Sequence, residues 1–203
     1  MTGLISRRQM LGAGAIAAAG VTTGFAVGNE AAATGRSDAE PTEADIGFCT
    51  DMSVHHVQAL AMCQRVLGRD TGDAVQAAAS EVLQTQGIEV GMMRAWLTDW
   101  GAPTTAPETV MAWMGDAFFC GLDDMPGYAS DDEMRALSLA EGRERGRMWL
   151  ELMRAHHVGG VNMAMAATAL VQAEKVARLA QTQVDVQTYE IEQYDLLLAS
   201  EYA

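Results

Sequence analysis

Apolar and polar positions along this chain recur with a helical period rather than a strand period. Asp45, Phe48, Cys49, Met52, His55, His56, Ala59, Met62 and Cys63 follow one another at steps of three residues and one, so that each has a partner three or four residues away. On an ideal helix at about 100° per residue they share roughly 140° of arc. The pattern predicts a first helix from about Glu43 to Leu67, closed by Gly68-Arg69-Asp70-Thr71-Gly72. Thr71 or Asp70 is available to cap a second helix, from about Asp73 to Trp100, which Gly101-Ala102-Pro103 stops. Two more long helices are expected over about 144–170 and 173–199. Between Thr104 and Ser130 the apolar Trp113, Met114, Phe118, Phe119 and Cys120 predict a packed short helix, and Asp131-Asp132-Glu133 opens another. No stretch reads convincingly as a strand, so the fold class is all-α.

The pattern is written twice. M-x2-H-H-x5-M at Met52, His55, His56 and Met62 returns at Met153, His156, His157 and Met163, and these four histidines are the only ones in the protein. Gln86 and Glu89 return as Gln187 and Glu190, and all six matched positions share an offset of 101 residues. One constant offset points to an internal duplication. The expected architecture is a four-helix bundle over 43–203, built from two helical hairpins, repeats of about 43–101 and 144–202. An extra short helical segment joins them.

Composition narrows the partners. The chain is 203 residues long with 49% hydrophobic content, enough for one domain with a sizeable core. Its net charge is −14, with Lys175 as the single lysine, so phosphate backbones are repelled and nucleic acid is not an expected partner. Ser6-Arg7-Arg8-Gln9-Met10-Leu11 and the Gly- and Ala-rich run to about Gly28 resemble a twin-arginine export signal. Ala31 to Ala33 offer a small-residue cleavage site, giving a signal segment over 1–33 and a linker over 34–42. The alternative is an uncleaved anchor, the only route by which this chain would touch a membrane. The location implied is periplasmic, extracellular or cell-envelope.

The doubled motif carries the chemistry. A lone histidine on an apolar face is ordinarily a packed or hydrogen-bonded core residue, and methionines at helical spacing are ordinarily packing. Two histidine pairs flanked by methionines at identical spacing point instead to metal ligation. Thioethers favour Cu(I), and imidazole accepts copper, zinc, iron and nickel. A di-iron bundle would show E-x-x-H, and here Met52 and Met153 occupy the position three before the histidine. Copper is therefore expected, with iron as the alternative.

Other candidates join the set. Cys49 and Cys63 flank His56 by seven residues on the same face and have no repeat mates, Leu150 and Ala164 standing in their places. They are either soft ligands or small packing residues, about 21 Å apart along one helix and unable to bridge each other. Cys120 could pair with either. Glu89 and Glu190 lie on mostly apolar faces and require partners: a metal, a histidine N–H, or an arginine or backbone group.

With these residues in view the chain resembles the bacterial family of domain of unknown function 305. The likeness runs from about Asp45 to Leu198. It rests on D-x2-F-x3-M-x2-H-H-x5-M at Asp45–Met62, Q-x2-E at Gln86 and Glu89, M-P-G at Met125–Gly127, and the second M-x2-H-H and Q-x2-E. The resemblance implies a duplicated, ferritin-like four-helix fold, with periplasmic copper binding and copper tolerance in some members. This chain has Gly146 where the second half of the family usually keeps an aspartate, Trp149 where Phe is usual, and Tyr128 where a methionine often follows M-P-G. If either lost side chain is a ligand elsewhere, the second site here is weaker.

The sequence thus reads as an exported copper-binding bundle that holds Cu(I) through the four histidines and Met52, Met62, Met153 and Met163. Asp45, Cys49, Cys63, Glu89 and Glu190 are further candidate ligands. One shared site and two related sites both fit, and a homo-oligomer is possible. The alternatives are a ferritin-like metal oxidase using Glu89 and Glu190, and a scaffold in which the histidines are structural. Copper affinity is expected to fall below about pH 6.5, where unperturbed histidines gain protons.

Overall fold

The computed structural model describes residues 40–203. The expected export-signal segment, the expected cleavage site and most of the expected linker lie outside the described residues. The fold is of the all-α class, and the described residues form four long helices, α1 (Glu43–Val66), α2 (Asp73–Asp99), α4 (Gly142–Leu170) and α5 (Glu174–Ala199), with a short α3 (Asp131–Leu139) between α2 and α4. Each long helix matches its predicted range to within two residues at either end. Among the described residues no helix is long and apolar enough to cross a membrane.

The helix ends explain those boundaries. Thr42 caps α1: its hydroxyl accepts the Asp45 N–H at 3.2 Å, while Asp45 Oδ2 accepts the Thr42 N–H at 2.8 Å. The second Asp45 oxygen accepts N–H bonds from Gln172 at 3.0 Å and Ala173 at 2.8 Å, at the start of α5. Burial works to raise the Asp45 carboxyl, but hydrogen bonds from Thr42, Ala173 and Gln172 outweigh it and hold the group below its usual range. Asp45 therefore fastens two helix ends from different repeats. Ser130 and Glu133 form the same kind of box at α3. Neither Asp70 nor Thr71 caps α2. Gly72 holds that position at φ +91°, and the Thr71 hydroxyl accepts from Gln76 Nε2 at 2.6 Å.

The inter-repeat segment corrects the expectation of a short helix there and of no strand. It contains two 3-10 turns, Ala112–Met114 and Leu122–Asp124, and a small antiparallel ribbon, β1 (Thr109–Val110) with β2 (Cys120–Gly121). Val110 pairs with Cys120 and Thr109 with Gly121. Pro103, Pro107 and Pro126 break up the segment, and Gly115 at φ +108° lies in the loop that joins the two strands. The segment is nevertheless packed, as its apolar content predicts. Asp51 accepts the Met111 N–H at 2.7 Å and the Trp113 indole N–H at 2.9 Å. Trp113 meets Phe48 edge-on at 5.7 Å. It reaches α1 because Gly47 has no Cβ, which would stand 2.5 Å from the indole. Gln58 binds both backbone groups of Ala129 at 2.7 Å.

The core forms two clusters, each with one motif methionine from each repeat. Met52 and Met163 lie with Phe48, Cys49, Met93, Met111 and Met125. Met62 and Met153 lie with Cys63, Trp149, Leu150 and Tyr194. This exchange of partners follows from α1 and α4 crossing in opposite directions at their histidine pairs. All four methionines are fully buried, and each such side chain contributes about 1.5–3 kcal/mol through its apolar area.

Candidate metal centre

The four histidines meet in one fully buried layer at the α1–α4 crossing. The His55 and His156 rings stack, centroids 3.6 Å apart and planes 26° from parallel. His56 Nε2 lies 2.7 Å from Glu89 Oε2, and His157 Nε2 lies 2.7 Å from Glu190 Oε2. His156 Nε2 donates to the His55 carbonyl at 2.8 Å. The polar need of both glutamates is met by a histidine rather than by an arginine or the backbone.

These contacts fix which nitrogens remain. A neutral ring that donates Nε2–H to a carboxylate or carbonyl keeps its lone pair on Nδ1. His56, His156 and His157 each hold such an Nδ1 without a hydrogen-bond partner, and both nitrogens of His55 are unpartnered. Burial drives the His55 and His156 rings well below the usual histidine range, and neighbouring histidines push in the same direction. The Pro126 carbonyl opposes this at His55 without completing a hydrogen bond. A buried polar atom left unpaired costs about 1–3 kcal/mol, so these five nitrogens, one lone pair on each of the four neutral rings and one N–H on His55, form a destabilised cluster suited to a metal ion. Among the described residues, no three His, Cys, Asp or Glu side chains converge as a ready-made metal cage.

The remaining candidates fall in different places. Asp45 is tied to helix ends, and its repeat mate Gly146 meets the equivalent turn by backbone approach. A Cβ at Gly146 would lie 2.6 Å from the Thr71 carbonyl oxygen and 2.7 Å from the Tyr202 ring. Tyr202 donates its hydroxyl to Thr71, replacing the missing carboxylate as the tether. The aspartate lost at Gly146 therefore corresponds to a structural group in the first repeat. Tyr128 packs against the Met52 cluster. Cys49 and Cys63 sit in opposite clusters, and burial pushes each thiol up to about 12. All three cysteines are free, without the bridge to Cys120 that the sequence left open.

One residue and one packing contact of a quoted motif escape sequence reading. Gln183 on α5 donates to Glu89 Oε2 at 2.9 Å and stands 3.3 Å from His56 Nε2. Its repeat mate is the buried, apolar Val82, so the 101-residue offset could not flag it. The Met125-Pro126-Gly127 stretch lies directly on α4. Gly127 takes φ +80°, where a Cβ would stand 2.9 Å from the His156 Cα, and Gly159 leaves room for the Pro126 carbonyl.

Residues 45–198 match the family described as Domain of unknown function (DUF305). A DUF305 protein from Streptomyces coelicolor, taken to be secreted, is 38% identical, with 79% of this chain and 94% of that chain covered and a TM-score of 0.73. A DUF305 fragment from Deinococcus radiodurans is 28% identical over 78% and 97% of the two chains, TM-score 0.67. CopM in its Cu(I)-bound form shares the fold at 21% identity over 78% and 98%, TM-score 0.62. No curated protein matches.

Proposed function

This chain belongs to the DUF305 family, and on that footing we propose that it is an exported protein that binds and sequesters copper, principally as Cu(I). The observation that carries this reading is the set of five unpartnered histidine nitrogens in one buried layer, bordered by two clusters that each hold a pair of motif methionines. Imidazole nitrogen and thioether sulfur together suit Cu(I) better than harder divalent ions. CopM, which shares the fold, occurs in Cu(I)-, Cu(II)- and Ag-bound forms. The Streptomyces relative supports export.

The ligands are His55, His56, His156 and His157 with Met52, Met62, Met153 and Met163. Glu89 and Glu190 stand behind the rings, accepting from Nε2, fixing the tautomer and raising the basicity of the inward nitrogen. Asp45 belongs to the scaffold. Cys49 and Cys63 are reserve donors within the two methionine clusters. The stacked His55 and His156 rings must turn to present their lone pairs. A carboxylate-rich iron oxidase is less well served, because both glutamates are already committed to histidines.

The test is an anaerobic competition titration with a chromophoric Cu(I) chelator on three proteins: wild type, the variant with all four histidines changed to alanine, and the variant with all four motif methionines changed to leucine. Leucine preserves apolar volume, so the second variant keeps the fold if the first does not. The expected result is tight binding by wild type and a large loss in both variants. Equal binding by all three proteins would refute the reading.

A further inference from the structure

The small ribbon brings together two soft donors outside the histidine layer. Cys120 Sγ lies 3.9 Å from Met111 Sδ. Two sulfurs bound to one ion at ~2.3 Å each stand about 3.8–4.0 Å apart in a trigonal or tetrahedral arrangement, so this thiol–thioether contact has the spacing of a shared cation that takes at least one further ligand. The two residues differ in exposure. Met111 is 3% exposed and belongs to the cluster of Met52, Met125 and Met163, whereas Cys120 is partly exposed and packs against that cluster from outside.

The backbone holds the pair in place. Cys120 is fixed by its pairing with Val110, the neighbour of Met111. Met111 takes φ +65°, unusual for a residue with a side chain, and its N–H is held by the buried Asp51. Burial, and after it Asp124 and Asp51, push the Cys120 thiol up, so a bound cation is needed to draw off its proton. Thiol and thioether select soft monovalent cations.

We propose that Cys120 Sγ and Met111 Sδ form an entry site for Cu(I), or its analogue Ag(I), through which the ion reaches the Met52 and Met163 cluster. The inference rests on the copper reading of the histidine layer and adds the route by which that layer is loaded. On binding, the Cys120 S–H bond breaks, its proton leaves to solvent and an S–Cu(I) bond forms with no change in oxidation state. Passing the ion inward lets the thiolate recover a proton, and Met111 remains in contact with both environments.

The experiment follows iodoacetamide alkylation of Cys120 in the full chain by mass spectrometry, under Cu(I) buffered anaerobically by a chelator. Wild type is expected to show copper-dependent protection of Cys120. Met111→Leu is expected to need roughly ten-fold or more free Cu(I) for half-protection, with each protein scaled to its own copper-free alkylation rate. The four-histidine variant keeps Cys120 protection while losing central binding, which separates the two sites. Cys120→Ser is expected to slow loading of the histidine layer without lowering its final copper content. Half-protection unchanged in Met111→Leu, or loading unchanged in Cys120→Ser, overturns the entry site and leaves the central reading intact. Absence of copper binding anywhere overturns both.

Discussion

The two histidine–glutamate pairs are alike in sequence offset and in length, both 2.7 Å, yet their surroundings differ. Behind His56 and Glu89 stands Gln183, and the matching place behind His157 and Glu190 is Val82. Tyr194 leans on the His157 ring at 5.4 Å and Trp149 on Tyr194 at 5.7 Å, where the first repeat has Met93 and Phe48 as counterparts. One methionine cluster thus carries Met52, Met93, Met111, Met125 and Met163 with Cys49, and the other is dominated by aromatic and aliphatic packing. Duplication has kept the contact that orients each ring while the groups that set its polarity and softness have diverged. The Met52 side is accordingly the softer and more polar half of the centre.

The largest expected effect tests what the halves share. His55 and His156 stay neutral in the folded protein at pH values where the unfolded chain binds protons. Folded-state values below the ordinary one mean that stability is complete above about pH 6.5 and declines as pH falls from there toward the depressed value. Each ring contributes a slope of about 1.4 kcal/mol per pH unit within that window. Urea unfolding of the metal-free protein at stepped pH reads this directly, and a flat profile between pH 7 and 5 would contradict the burial of these rings as neutral groups. The same lowering moves the proton competition for these two ligands below the pH expected from sequence.

Next come the carboxylates. Glu89→Ala and Glu190→Ala are each expected to weaken copper binding roughly 10–100-fold by releasing the histidine behind which the carboxylate stands. If both variants titrate like wild type, the two glutamates serve packing alone. Glu190 is the more enclosed of the two, so its removal also costs more in urea stability, by about 1–3 kcal/mol for the stranded imidazole.

A third comparison concerns the turns. Restoring symmetry with Gly146→Asp is expected to destabilise by about 1–3 kcal/mol, because the new side chain meets the Thr71 backbone and the Tyr202 ring. Asp45→Ala at the matching place loses a cap and is expected to cost about 1–2 kcal/mol. Thermal or urea unfolding that showed no change for Gly146→Asp would mean that this turn opens easily.

The smallest effect is the sharpest for the comparison. Gln183→Val makes the first half resemble the second and is expected to weaken copper binding roughly 2- to 10-fold, the net worth of one ordinary hydrogen bond. Should affinity rise instead, Gln183 competes with the metal for Glu89 rather than supporting His56.

Much of this was legible because helical period and the repeat are local, regular signals. Glu43–Val66 and its partner helices carry apolar residues at fixed spacing, and Glu89 and Glu190 announced themselves as carboxylates on apolar faces. What escaped depends on contacts between distant segments. The repeat mate of Gln183 is the apolar Val82, so only its contact with Glu89 across α5 and α2 reveals it. The role of Asp45 depends on a turn more than a hundred residues away, and its motif position alone made it resemble a ligand. The ribbon at Val110 and Cys120 is two residues per strand, too short for any period to show.

Asp45 has one more consequence. By binding the ends of α1 and α5 with a single carboxylate, and by letting each methionine cluster draw on both repeats, the molecule gives neither hairpin a complete set of helix caps or a closed apolar face of its own. A chain assembled from two similar pieces therefore unfolds as one cooperative unit, and a single repeat cut free would lack the partner that makes it a stable protein.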